Sequence, residues 1–231
     1  MRIAIIGAGF TGLTASLRLA QAGHEVVVFD RETEPGGLAV GFRDEKWEWS
    51  LERHYHHIFT SDIYIQKIAR ETGANYFFNR PKTSTLYGGR VWQLDSPVNL
   101  LKFNSLSLSS RIKTGLGMAY LKFLAGWKGL EEQTAVEWLK RLDKESFEVL
   151  WEPLLRAKFG EYADEISAAW FWARIKKRSA SLGYFEGGFS QLARKIEVAA
   201  KRAGVEFRYG ITISDLKVED GVWKIGVEDG G

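Results

Sequence analysis

The chain has 231 residues, of which 45% are hydrophobic and 26% charged, a composition typical of a globular protein of one or two domains. The 32 Lys and Arg residues against 29 Asp and Glu residues leave a net charge of only +3, which gives no reason to expect a nucleic-acid-binding protein. The sequence contains no cysteine, which excludes disulfides, thiolate metal sites and cysteine nucleophiles. It opens on an apolar run without a basic and apolar leader, so we expect a cytoplasmic protein.

The amino-terminal segment has the pattern of a strand, a glycine turn and a helix. Met1 to Ile6 is apolar and predicts the strand, and Leu13 to Ala22 predicts the helix. In a G-x-G-x-x-G turn the first glycine allows the bend, the second leaves room for phosphates, and the third lets the helix pack closely on the strand. The spacing therefore predicts a pyrophosphate site at the helix N-terminus, formed by Gly7, Ala8, Gly9, Phe10, Thr11 and Gly12.

A second predicted strand, Glu25 to Phe29, ends on an acidic residue, Asp30. An acid about 20 residues beyond such a turn holds a ribose hydroxyl in dinucleotide-binding proteins. The alternative is a solvated Asp at a strand end in an ordinary βαβ unit. Because an acid here disfavours a 2′-phosphate, the pattern favours NAD or FAD over NADP.

A second glycine pair follows in the run Arg31-Glu32-Thr33-Glu34-Pro35-Gly36-Gly37-Leu38. With it, Ile3 to Leu38 resembles the FAD-binding motif of the flavoprotein group that includes monoamine oxidases, protoporphyrinogen oxidases, phytoene desaturases and UDP-galactopyranose mutases. The resemblance implies FAD as cofactor, with Gly36, Gly37 and Leu38 beside the pyrophosphate and ribityl chain. It also implies a basic residue near the adenosine, for which Arg31 is the candidate; a solvated loop arginine is the alternative. The group usually has Glu where this chain has Asp30.

Residues 41–62 are aromatic and irregular, and three of the four histidines lie at positions 54, 56 and 57. Their spacing does not suit a tetrahedral metal site, so we expect no metal. The stretch His57 to Asp62 resembles one that lies beside the isoalloxazine in UDP-galactopyranose mutases. That likeness implies a catalytic position for His57 against the flavin, and a loop of solvated histidines is the alternative.

The middle of the chain is mostly helical in pattern. Ile63 to Thr72 predicts a helix closed by Gly73, and the Gly88-Gly89 turn predicts a hairpin. Helical periodicity then runs from Leu100 to Arg178, with a capping box predicted at Thr134 and Glu137.

The stretch Ile112 to Leu130 within that region predicts an amphipathic helix, with lysines opposite an apolar side. Its apolar residues are Leu116, Tyr120, Phe123, Leu124 and Trp127. Two interpretations stay open, a core or lid helix and a helix that makes peripheral contact with a membrane surface.

The α/β pattern returns at Gly183. A helix, Phe189 to Ala203, follows the pair Gly187-Gly188, and a strand is predicted from Val205 to Tyr209. A hairpin joins the strands 211–218 and 222–227. The resemblance extends to this segment and implies that Ile213, three residues before Leu216, contacts the adenine end of FAD.

The predicted fold class is α/β, with a discontinuous, Rossmann-like FAD-binding domain formed by residues 1–62 and 183–231. A mostly helical α+β substrate domain, residues 63–182, is inserted between the two parts. In relatives a further strand and a late Gly-Asp segment complete the flavin site. We therefore expect the 231 residues to be part of a longer protein, or a partner to supply the rest.

The expected function is that of an FAD-dependent oxidoreductase that removes hydride from a C–N or C–C unit of a mostly apolar small molecule. One alternative is a UDP-galactopyranose mutase-like enzyme without net redox change. Another is a flavin-free binding protein on the same fold. The oligomeric state is left open.

Overall fold

A computed structural model describes residues 1–229 of the chain. The two last glycines, which end the predicted second part of the FAD-binding domain, lie outside the described residues. The structure divides into two compact units, one formed by Met1–Asn79 together with the chain from Leu182 on, and the other by Arg80–Ser181.

The described chain forms twelve strands and nine α-helices. The strands are β1 Arg2–Ile6, β2 Glu25–Phe29, β3 Gly41–Phe42, β4 Leu51–Glu52, β5 Ile58–Phe59, β6 Tyr76–Asn79, β7 Ser84–Tyr87, β8 Arg90–Gln93, β9 Leu182–Phe185, β10 Glu206–Arg208, β11 Ile211–Glu219 and β12 Val222–Asp229. The helices are α1 Phe10–Gln21, α2 Ile63–Thr72, α3 Pro97–Lys102, α4 Leu108–Ala119, α5 Ala135–Leu142, α6 Lys144–Ser146, α7 Glu152–Phe159, α8 Ala168–Lys177 and α9 Phe189–Arg202. Short 3₁₀ segments span Gly37–Ala39 and Gly160–Glu165, and π-helical segments span Tyr120–Leu124 and Phe147–Trp151.

The first unit is organised around a parallel sheet of order β1-β2-β10. Helices α1 and α9 pack together, and their apolar residues Leu13, Leu17 and Ile196 are buried in one core with Val26 and Val28 of β2. The parallel pairing of β10 with β2 brings the carboxyl-terminal part of the chain back to the first βαβ unit. The mixed α/β class predicted from the sequence is observed.

A second sheet of the first unit is antiparallel, with order β5-β9-β6. Because β6 pairs with β9 along its whole length, residues 76–79 belong to the first unit. Helix α2 lies in the same unit, where Ile68 and Ala69 are buried in the core. The first change of unit therefore falls after Asn79, whereas the sequence predicted it after Asp62. The second falls at Leu182, one residue before the predicted position.

The second unit is mostly helical and carries one two-stranded sheet, the hairpin of β7 and β8 that the Gly88-Gly89 turn predicted. Its core contains Leu121, Leu139, Phe147, Leu155 and Phe171. The predicted capping box is present at the start of α5, where the Thr134 side chain accepts from the Glu137 N–H and the Glu137 side chain accepts from the Thr134 N–H.

The predicted amphipathic helix has different bounds. It begins at Leu108, because the Ser107 side chain accepts a hydrogen bond from the Ser110 N–H and caps it there. It ends in the π-helical segment at Leu124, and Ala125 is extended. Gly126 and Gly129 disfavour a helical continuation, so the prediction that the helix runs on to Leu130 was wrong. Among residues 1–229, no helix combines the length and the apolar character needed to cross a bilayer.

Candidate functional site

The glycine turn between β1 and α1 has the geometry that its spacing predicts. Gly7 has φ +102, a value that favours glycine, and its N–H donates to the Phe29 carbonyl at 2.7 Å. A Cβ atom on Gly12 would overlap the Gly7 carbonyl oxygen and lie 3.3 Å from Cγ2 of Ile5. Helix α1 can therefore start close to the end of β1 only because position 12 has no side chain.

Gly9 is the extended residue that precedes α1, with φ −71 and ψ 177, so the helix begins at Phe10 and not at Leu13 as predicted. A Cβ atom on Gly9 would meet no described atom within 4 Å. The first turn of α1 contains no acidic residue. The positive end of the helix dipole thus faces open space at Gly9, which is the arrangement that binds phosphate oxygens.

The Asp30 carboxylate ties the turn to the end of β2. Its Oδ2 accepts from the Ala8 N–H at 2.5 Å, and its Oδ1 accepts from the Glu32 N–H at 2.9 Å. Ala8 is fully buried, so its contribution is to position the turn. Each carboxylate oxygen has a second lone pair, and Asp30 therefore keeps acceptor capacity for a ribose hydroxyl.

The second glycine pair lies directly beside the first turn. Gly36 and Gly9 form an isolated parallel β-bridge, and the Gly36 N–H donates to the Ala8 carbonyl at 2.9 Å. A Cβ atom on Gly37 would lie 3.2 Å from the Cα atom of Gly9. With φ of +131 and +56, both positions favour glycine. The structure thus brings Gly7, Gly9, Gly12, Asp30, Gly36 and Gly37 together.

Four other predicted cofactor residues have more varied positions. Thr11 is exposed on the first turn of α1, and Leu38 is exposed beside the second glycine pair. The Phe10 ring packs edge-on against the Phe189 ring, with centroids 6.2 Å apart, so much of Phe10 serves the core. Arg31 is exposed, and its Nε lies 3.5 Å from Oε1 of Glu32.

His57 lies on a different part of the first unit, immediately before β5. Its ring packs against the rings of Tyr55 and Phe59, with centroids 5.1 and 4.9 Å away. The residue is half-buried, and Ile58 pairs with Gly183 of β9. Aromatic neighbours and the antiparallel sheet therefore hold the imidazole in place.

Ile213 lies on β11, where it pairs with Val227 of β12. The residue of this strand that reaches the acid at the end of β2 is Ile211, whose N–H donates to the Asp30 carbonyl at 3.0 Å. Gly210 makes the adjacent link, from its N–H to the Glu32 carbonyl at 3.0 Å. Ile213 is thus two residues beyond the contact with the Asp30 loop.

Sequence reasoning missed the role of Glu52. Its Oε2 accepts from the Tyr184 hydroxyl at 2.5 Å, and its Oε1 accepts from the Phe189 N–H at 2.7 Å. A Cβ atom on Gly188, which has φ +83, would lie only 2.9 Å from the Ser50 carbonyl oxygen. The carboxylate therefore caps α9 and holds the Gly187-Gly188 turn against β4. Burial and the hydrogen bond to Glu52 raise the pKa of Tyr184.

A second pair of a tyrosine and a glutamate lies next to the Asp30 loop. The Tyr209 hydroxyl donates to Oε1 of the buried Glu197 at 3.0 Å, and Lys201 forms an ion pair with the same oxygen at 2.6 Å. Burial first, and then the hydrogen bond to Glu197 and the charges of Glu197 and Asp30, raise the pKa of Tyr209. The sequence offered a signal for part of this network, because Glu197 and Lys201 lie four residues apart on α9, the spacing of a helical ion pair.

A cavity of about 720 Å³ lies along the strands of the first unit. It is lined by Ile3, Val27 and Phe29 of the parallel sheet and by Leu216 and Trp223 of the carboxyl-terminal hairpin, and not by predicted site residues. Throughout residues 1–229, the structure brings together no group of three His, Asp or Glu side chains that could hold a metal ion.

Comparisons with known proteins found a matching family and similar sequences. A family model for flavin containing amine oxidoreductases matches residues 10–231. The 15-cis-phytoene desaturase of Synechococcus elongatus is 27% identical over an alignment of 158 residues, and the match covers 61% of this chain and 33% of that protein. The chain spans about a third of the length of that curated relative.

Solved structures share the fold. An oxidoreductase from Methanosarcina mazei has a TM-score of 0.71 at 21% identity, with 99% of this chain and 56% of that chain covered. Putrescine oxidase with bound putrescine has a TM-score of 0.72 at 16% identity, with 99% and 55% covered. At these identities the likeness shows the fold alone.

Proposed function

Because the chain belongs to the flavin containing amine oxidoreductase family, for which FAD is the indicated cofactor, we propose that its glycine turns and Asp30 hold FAD. We further propose that the whole protein is an FAD-dependent oxidoreductase. It would remove hydride from a C–N or C–C unit of a mostly apolar small molecule. The membership confirms the resemblance of Ile3 to Leu38 to the amine oxidase and desaturase group.

The observation that carries the proposal is the open space at Gly9 between two glycine segments. The Gly9–Gly36 bridge holds those segments together, and the helix N-terminus faces the same point. An anionic diphosphate fits such a position, because backbone N–H groups and the helix dipole both favour negative charge. Asp30, at the end of the neighbouring strand, then accepts from the ribose.

The remaining predicted residues keep supporting roles in the proposal. Arg31 and Leu38 are exposed on the loop that carries the second glycine pair, and we assign them to the adenosine side and the ribityl side of FAD. Ile213 is assigned to the adenine end, since Ile211 of the same strand is bonded to Asp30. Ala8, Phe10 and Thr11 complete the turn.

The two units take different roles in the proposal. We assign the first unit to FAD binding and the second, Arg80–Ser181, to the substrate, as a Rossmann-like domain with a mostly helical insertion. His57 is assigned to the flavin ring, where an imidazole can donate a hydrogen bond. FAD, when bound, supplies the hydride acceptor, and the chain supplies position and exclusion of water.

The absorption spectrum of the purified full-length protein tests the proposal. Flavin bands that bleach with substrate under anaerobic conditions and return in air are the expected result. Turnover of UDP-galactopyranose only after dithionite reduction would favour the mutase alternative instead. A colourless protein that takes up no added FAD would leave the flavin-free alternative and overturn the proposal.

A further inference from the structure

Helix α4 and the π-helical segment that extends it are amphipathic, but they bury mainly small and polar residues and expose their apolar face. Their buried face consists of Ser110, Thr114, Gly117 and Leu121. A Cβ atom on Gly117 would overlap the Leu142 side chain, so the small residues allow a close approach to α5. The opposite face carries the apolar residues. An amphipathic helix of a globular protein ordinarily buries that face.

The apolar face is a continuous exposed stripe. Its first four residues follow one another at intervals of four, and the last two lie three and four residues after Tyr120. At 3.6 residues per turn this places all six within about 160° of the helix circumference. Leu116, Phe123 and Leu124 are 67%, 74% and 79% exposed. We call this set the 108–124 stripe: Leu108, Ile112, Leu116, Tyr120, Phe123 and Leu124.

The charged residues in the sequence segment around the 108–124 stripe are all basic. Between Ser96 and Leu130 the sequence contains no Asp or Glu, and its charged residues are Lys102, Arg111, Lys113, Lys122 and Lys128. Arg111 and Lys113 flank the stripe on its two sides. Of the acids nearby, Asp143 is buried and paired with Lys113, and Glu145 accepts from the Ser107 and Ser110 hydroxyls.

A second basic group lies at the end of the stripe. The Lys122 amine donates to the carbonyls of Ile175, Lys176 and Arg178, at 3.3, 3.0 and 2.5 Å. It thereby fixes the carboxyl end of α8 next to the π-helical segment. Exposed cations cluster there: Arg174, Lys176, Lys177 and Arg178.

We infer that the 108–124 stripe is a docking face for an anionic lipid bilayer, in which the helix lies in the plane of the membrane interface. Apolar and aromatic side chains enter the acyl boundary, and the basic residues meet anionic headgroups. The inference goes beyond the flavin chemistry and does not depend on it. A bilayer suits the observations because an excess of positive charge around an apolar face matches an apolar layer with a negatively charged surface.

Flotation with lipid vesicles tests the inference. The 231-residue chain is expected to float with vesicles of phosphatidylcholine and phosphatidylglycerol, and much less with vesicles of phosphatidylcholine alone. The double variant Leu116→Ser with Phe123→Ser should lower the partition coefficient at least about tenfold, because it removes two exposed anchors. Leu154→Ser with Tyr162→Ser is the matched control, since these residues are exposed on the same unit outside the stripe. Unchanged circular dichroism shows that each variant is folded.

A site-specific label locates the contact. Because the chain contains no cysteine, Leu124→Cys provides a single position for a nitrobenzoxadiazole label. Its emission should shift to the blue and increase with anionic vesicles, and a label at Leu154→Cys should not respond. The inference is overturned if the folded chain fails to float, if both double variants float equally, or if the Leu124 label does not respond. Sedimentation would also overturn the inference if it showed a dimer, if only Leu116→Ser with Phe123→Ser abolished that dimer, and if the chain bound no vesicles. The stripe would then be assigned to contact with a second copy.

Discussion

Gly12 packs against the carbonyl oxygen of Gly7 so closely that no side chain fits between them. This contact sets the distance between the end of β1 and the start of α1, and it therefore determines where the helix N-terminus points. The same contact separates two kinds of glycine in one motif. Gly12 is required for packing, whereas Gly9 faces open space and is required only if a ligand approaches.

Gly12→Ala should destabilise the folded protein. The added methyl group collides with backbone atoms, which cannot move as a side chain does. We therefore expect the free energy of unfolding to fall by about 1–3 kcal/mol. Urea unfolding followed by circular dichroism measures it. An unchanged midpoint would show that the turn differs from the one described.

Gly9→Ala should leave the fold intact and weaken FAD binding. Its backbone angles suit alanine, but the methyl group enters the space assigned to the phosphates. We expect the dissociation constant to rise at least tenfold, equivalent to about 1.4 kcal/mol, measured by quenching of flavin fluorescence.

Gly126→Ala is the matched control for that experiment. Like Gly9, Gly126 has open space where a Cβ atom would lie and a backbone φ that is not positive, but it is far along the chain in the second unit. Equal FAD affinity in both variants would contradict the assignment of the phosphates to Gly9.

Tyr184→Phe should change the stability at alkaline pH. The pKa of Tyr184 is raised above the unfolded value near 10, so the stability from its bond to Glu52 is complete below about pH 10 and declines as the pH rises further. The variant should lose about 1 kcal/mol at neutral pH and show a smaller further loss above pH 10. Denaturant midpoints at both pH values measure this, and parallel pH profiles of variant and parent would contradict it.

Glu71→Gln should alter the response to acid. The two hydrogen bonds from Arg18, at 2.5 and 2.6 Å, lower the pKa of Glu71 to about 2. The stability from this pair is present above the unfolded value near 4.5 and is lost as the pH falls toward 2. Because both side chains are partly exposed, we expect at most about 1 kcal/mol. The melting temperatures of variant and parent should differ at pH 7 and converge at pH 2. The same difference at both pH values would argue against the pair.

His57→Gln should lower kcat while the flavin content stays unchanged. If the imidazole donates to the flavin or the substrate, a loss of about a hundredfold is expected. His54→Gln is the control, because His54 is exposed on the same segment. Equal kcat for both variants would remove His57 from the catalytic residues.

Much of the fold could be predicted because its determinants are local. The helix Ile63–Thr72 was predicted with its observed bounds, and Gly73 ends it with the positive φ that favours glycine. The capping box at Thr134 and the hairpins depend on residues close in sequence, whose backbone requirements can be read from residue type alone. The first glycine turn belongs to the same class.

The tertiary structure alone decided the contacts between distant residues. The Gly9–Gly36 bridge, the two backbone donors on Asp30 and the capping of α9 by Glu52 join segments that no periodicity relates. Pairing of β6 with β9 moved the boundary of the first unit from Asp62 to Asn79.

The orientation of helix α4 shows the physical reason most directly. Its sequence determined which residues share a face, because 3.6 residues per turn is a property of the backbone. Which face the protein buries depends on the shape of the neighbouring helices, and here Ser110, Thr114 and Gly117 allow the closer approach. The sequence thus determined the local elements and the first glycine turn, whereas packing decided what each element presents to its surroundings.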